Sequence, residues 1–155
     1  SLTGLPAGTL VLLEVTPQAG TKMVDEATNV QVDVPVGSGF KLRAATSLDS
    51  SGNTSAQITP FTDMAVKLAE NNNSGKLNAD VVAAANGSVS TFIGASILND
   101  RPTFTNDNGN IKATNAAGAK LAAISQMADS GAVSGCSGDT QLTSDEYAHY
   151  CDDAI

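Results

Sequence analysis

Tryptophan is absent, aromatic side chains make up only 4% of the 155 residues, and charged side chains only 15%. Without large rings, apolar packing falls to small side chains, Ala and Val above all. The few charges are lopsided, with eight Lys and Arg against sixteen Asp and Glu and a net charge of -8. Such a chain repels phosphate backbones and anionic lipid, so neither nucleic acid nor a membrane surface is expected as a partner. Long apolar runs are missing too. The longest, "LVLLEV", contains Glu14 and falls far short of the ~20 residues of a membrane helix, so no membrane insertion is expected. The chain opens at Ser1 with no initiator Met and no signal-type segment, as a processed or trimmed chain does.

Cysteine occurs only twice, at Cys136 and Cys151 in "CSGDTQLTSDEYAHYC". Read as a disulfide, the pair closes a short loop worth roughly 3 kcal/mol and places the chain in an oxidising, extracellular or cell-surface setting. The alternatives are two reduced thiols, or a zinc site that would need His149 and a carboxylate such as Asp139 or Asp145. His149 is the only histidine. With one possible base on a short terminal segment beside Tyr147 and Tyr150, nucleophilic catalysis has little to work with, and the residue reads as packing or surface.

What is present is a change of period. Residues 9–58 read as β structure in four strands: "TLVLLEVT", "TKMV", "TNVQVDVPV" and "GFKLRA". In the third, Val30, Val32 and Val34 alternate with Gln31 and Asp33. In the fourth, Phe40, Leu42 and Ala44 share one face, leaving Lys41 and Arg43 on a solvent face. The breaks "PQAG", "VGSG" and "LDSSGN" are turn material and suggest a meander of neighbouring antiparallel strands.

From Thr59 the period is helical. Thr59 caps a helix that starts at Pro60 and carries Phe61, Met64, Ala65 and Leu68 on its apolar stripe, with Asp63 complementing the helix dipole. "NNNSG" ends it. Asn78 caps a second helix with Val81, Val82, Ala85, Val89, Phe92 and Ile93 on one stripe and Gly94 as its stop. "ASILNDRPTFTNDNGN" reads as a connection, "ATNAAGAKLAAISQMADSG" as a third helix, and "TSDEYAHYCDDA" as a short fourth. Strands first and helices second, with no βαβ alternation, predict an α+β fold: a small antiparallel, incomplete sandwich-like sheet followed by three to four helices. The expected organisation is a β part over 1–58 and a helical part with a C-terminal disulfide loop over 59–155, packed as one unit.

The run "GFKLRAATSLDSSGNTSAQITPFTDMAVKLAE", followed by "LNADVVAAANGSVSTFIGASILNDRP" and "AAGAKLAAISQMA", resembles a layout of bacterial surface proteins and lipoproteins. In these a partial carboxypeptidase-regulatory-like, or Cna-B-like, β-sandwich passes into a helical segment. The resemblance implies a non-enzymatic module for adhesion, assembly or display, and a complete sandwich of this kind would be expected to take its first strands from elsewhere.

Other groupings point to ordinary structure. "FTNDNGN" offers Asp107, Asn108 and Asn110 as oxygen donors for calcium, but its Gly spacing does not fit an EF-hand and no bidentate Glu follows, so turn residues are expected. Asp49 in "LDSSGN" reads the same way. No metal or other cofactor is expected, and "GSG" at 37–39 lacks the signature of a phosphate loop. The sum is an extracellular structural subunit, a surface filament or pilus-like protomer or a stalk module. Identical subunits would join by strand addition, with Val30, Val32 and Val34 setting register and residues 1–6 as a possible donor. The alternative is a glycan- or ligand-binding adhesion module, which the scarcity of aromatic rings disfavours.

Overall fold

The structure, a computed structural model, describes residues 5–25, 30–37, 39–107 and 110–129. They form six strands and three helices in the order β1 (Leu10–Val15), β2 (Lys22–Asp25), β3 (Val30–Asp33), β4 (Leu42–Ser47), α1 (Pro60–Asn72), α2 (Ala79–Ile93), β5 (Phe104–Asp107), β6 (Asn110–Ala113) and α3 (Ala116–Asp129). Three two-stranded antiparallel sheets and three helices, with β5 and β6 standing between α2 and α3, make this an α+β protein. The fourth helix expected around Thr143 to Ala154 lies outside the described residues.

The four strands expected before residue 58 are all present, but neighbours do not all pair. β1 pairs with β4, from Leu10 opposite Ser47 to Val15 opposite Leu42, and the β2–β3 hairpin is inserted between them in sequence. The nesting matches like with like. β1 and β4 are each six residues long, and the apolar β1 faces the small Ala44 and Ala45. β2 and β3 are each four residues long, with Lys22 opposite Asp33 and joined to it by an exposed 2.7 Å ion pair. A third hairpin, β5–β6, occupies what the sequence reads as a connection.

The chain divides into two units, one comprising Ser1–Val15 with Leu42–Arg101 and the other Thr16–Lys41 with Pro102–Ile155, each taken over its described residues. The first joins β1 and β4 to α1 and α2. Its core holds the alanines Ala44, Ala45, Ala65, Ala69 and Ala85 together with Phe61 and Ile93, so a sheet and two helices approach closely with a single large ring, Phe61, among the buried side chains described. The second holds the two short hairpins and α3.

The start of α1 is a reciprocal cap. Thr59 Oγ1 accepts from the Thr62 N–H at 3.3 Å, and Thr62 Oγ1 accepts from the Thr59 N–H at 2.9 Å. With its hydroxyl satisfied, Thr62 can be fully buried. The buried face of α1 consists of Phe61, Thr62, Ala65, Val66 and Ala69, while the expected Met64 and Leu68 are only half-buried. In α2 the Asn78 side chain accepts from the Val81 N–H at 3.0 Å, and Gly94 ends the helix in the left-handed conformation at φ 77°. Val82, Ala85, Val89 and Ile93 are buried as expected, whereas Phe92 is half-exposed.

In the second unit α3 packs on β6 through a close approach. Asn115 Oδ1 accepts from the Gly118 N–H at 2.8 Å and from the Thr103 N–H at 3.2 Å. A Cβ on Gly118 would lie 2.6 Å from the Thr103 carbonyl oxygen, so only glycine fits there.

Candidate functional site

Antiparallel pairing alternates residues whose N–H and C=O face the partner strand with residues whose groups face away. In the β1–β4 sheet the phase is set by the Leu48 N–H donating to the Thr9 carbonyl at 2.9 Å. Two steps along, Val11 and Thr46 again bond to each other, and the Leu12–Ala45 pair between the steps turns its main-chain groups outward. On the β4 side this outer edge is covered: Asn86 of α2 reaches across and donates through Nδ2 to the Ala45 carbonyl oxygen at 3.0 Å. On the β1 side no strand lies alongside among the described residues. Leu12 and Val15 there are 47% and 50% exposed. The sheet is therefore two strands wide, with the Ala45 carbonyl on one edge bonded by a side chain and the other edge bordered by no strand among the described residues.

The same sheet is fixed to α1 by a buried cation. Arg43 is only 7% exposed, a correction to the reading that placed it on a solvent face with Lys41, which is exposed. Its Nε donates to Asp63 Oδ1 at 2.8 Å and its Nη1 to Glu70 Oε1 at 2.8 Å. Asp63 and Glu70 are seven residues apart, two turns of helix, so they lie on the same side of α1 and hold the guanidinium between them. Burial lowers the Arg43 pKa, but the hydrogen bonds and charges of Asp63 and Glu70 outweigh it and leave the guanidinium harder to deprotonate than an ordinary arginine. Glu14 stands opposite Arg43 across the strand pair. Asp63 thus does more than complement the helix dipole: it neutralises a charge that would otherwise be buried alone.

Alternation along β3 holds where side chains are described, with Gln31 and Asp33 exposed, Val32 half-buried and Val34 buried. The Val34 N–H donates to the Thr21 carbonyl at 3.0 Å, so this residue is already engaged within its own hairpin. Val30 pairs with Asp25, and its side chain lies outside the described set. Asp107 and Asn110 face each other at the end of the β5–β6 hairpin, and Asn108 lies outside the described residues. Asp49 Oδ1 accepts from the Ser51 and Asn53 N–H groups at 2.8 and 2.9 Å, which is the hydrogen bonding of an Asx turn. Among the described residues no group of His, Cys, Asp or Glu is arranged to hold a metal ion, and no helix is long and apolar enough to cross a membrane. Cys136, Cys151 and His149 lie outside the described residues.

Two functional features escaped the sequence reading. The Arg43 cluster had a signal in the two acids spaced by seven on α1. Asn86 had none, because its partner lies 41 residues away.

No family model, curated protein or solved structure matches this chain.

Proposed function

We propose that the chain is a non-enzymatic, extracellular structural subunit that joins copies of itself by adding a strand to the outer edge of β1. The observation that carries this reading is the asymmetry of the β1–β4 sheet. One edge is covered by Asn86, while β1 borders no strand among the described residues and presents Leu12 and Val15 to solvent. An unpaired strand edge is a template for another chain: main-chain hydrogen bonds supply affinity and alternating side chains set register.

We place the joining strand on β1 and not along Val30, Val32 and Val34, because Val34 is buried and its N–H is engaged with the Thr21 carbonyl within its own hairpin. The Arg43 cluster supports the same reading, because it holds β4, and through it β1, against α1 while a new strand docks. Light scattering and electron microscopy of the purified chain test it. Ordered oligomers or filaments are expected, and a monodisperse monomer at high concentration contradicts it.

A further inference from the structure

Asn86 is followed by Gly87, the dipeptide in which a main-chain nitrogen most easily reaches the preceding side-chain amide, because glycine carries no Cβ to hinder it. Gly87 stands inside α2, where glycine costs about 1 kcal/mol relative to alanine. Packing does not require it, since a Cβ there would meet nothing within 4 Å. The Asn86 amide meanwhile is the group that covers the outer edge of β4.

We propose that Asn86–Gly87 is a site of spontaneous deamidation, held off by the α2–β4 contact and uncovering the β4 edge once it occurs. In the reaction the Gly87 nitrogen attacks Asn86 Cγ. The new C–N bond closes a five-membered succinimide, the Cγ–Nδ2 bond breaks, and Nδ2 leaves as ammonia with the proton given up by the Gly87 nitrogen. Water then opens the ring at either carbonyl to give aspartate or isoaspartate, and no other reactant enters.

In the folded chain two constraints oppose the first step. Helical dihedrals hold the Gly87 nitrogen in the α2 hydrogen-bond ladder, and Nδ2 is engaged with the Ala45 oxygen at 3.0 Å. The reaction therefore waits for local opening of α2 from the sheet. The product cannot restore the contact, because an ionised carboxylate accepts hydrogen bonds and donates none. It would face the Ala45 carbonyl oxygen with another oxygen, and that carbonyl would lose its cover. Isoaspartate adds a main-chain carbon and breaks the helix register as well.

The test follows the residue by peptide mapping, which detects exchange of the amide NH2 for OH, in native chain and in urea-unfolded chain aged together in mildly alkaline buffer. Conversion at Asn86 is expected at least about tenfold slower in the native chain, the factor imposed by an opening that costs about 1.4 kcal/mol. Gly87→Ala is expected to suppress conversion at position 86 in the unfolded chain. Equal rates in native and unfolded chain overturn the gating, and no conversion in urea overturns the site. Hydrogen exchange then reads the consequence: aged chain and Asn86→Asp are both expected to exchange faster at the α2 amides, as the helix loses its bond to the Ala45 carbonyl at the β4 edge. Exchange identical to that of the parent in either sample overturns the claim that the amide guards the edge.

Discussion

Asp63 Oδ1 lies 2.8 Å from Nε of Arg43, twenty residues earlier in the chain, with the two side chains only 13% and 8% exposed. Helix α1 and strand β4 are joined by a charge pair inside a core that is otherwise mainly apolar. Removing one partner strands the other. Asp63→Ala is expected to lower the unfolding free energy by about 3 kcal/mol, read from the chemical denaturation midpoint, because it leaves a buried guanidinium with only the more exposed Glu70. Replacing Arg43, Asp63 and Glu70 together by apolar residues of similar volume is expected to cost much less than Asp63→Ala alone. A triple replacement as costly as the sum of three single ones would contradict this account.

The same pair sets a pH expectation. Against the pull of burial, Asp63 and Glu70 raise the Arg43 pKa, so it is higher folded than unfolded. Its contribution is therefore fully present below the unfolded value and is lost only as pH climbs through the folded one, in strong alkali. The stability difference between parent and Arg43→Met should stay constant from neutral pH to about 10. A difference that shrinks across that range would show that the cation is not what holds the contact.

Two glycines inside helices should respond oppositely to alanine. At Gly118 a Cβ would meet the Thr103 carbonyl oxygen at 2.6 Å, so Gly118→Ala is expected to destabilise by about 1 to 3 kcal/mol as α3 is pushed from the β5–β6 hairpin. At Gly87 the space is open, and Gly87→Ala should stabilise by about 0.5 to 1 kcal/mol. Thermal melts of both variants decide the matter, and the same sign for both would refute the contrast.

Thr62 joins the α1 cap while fully buried, so its hydroxyl has no water to fall back on. Thr62→Val keeps the volume but removes the acceptor for the Thr59 N–H. A loss of about 1 to 2 kcal/mol is expected, with earlier amide exchange at Thr59. Unchanged stability would mean that the helix start does not depend on the reciprocal bonds.

How far the sequence anticipates this structure depends on the range of the interaction. Thr59, Pro60, Asn78 and Gly94 mark helix ends correctly because caps are settled within four residues. Pairing of β1 with β4 was not visible, since a hairpin intervenes and nothing local says which strand a neighbour will choose. Arg43 was misplaced because period-2 alternation grouped it with Lys41, while its true surroundings come from α1, twenty and twenty-seven residues on. The burial of Thr62 and Val66 in place of Met64 and Leu68 has the same origin: α1 turns so that Asp63 and Glu70 flank its buried face. The β5–β6 hairpin did have a local sign, Asn108–Gly109 between two four-residue segments, hidden among the other Asn, Asp and Thr residues of that stretch.

Strand addition at β1 is tested most directly by Leu12→Pro. The alternation of the β1–β4 ladder turns the Leu12 N–H away from β4, so proline there removes a donor from the outer edge while sparing the bonds to β4. Light scattering of parent and variant at matched concentration, with circular dichroism to confirm the fold, is the measurement. The account predicts an assembling parent and a folded variant that stays monomeric. A folded variant that assembles as the parent does, or a parent that never assembles, contradicts it.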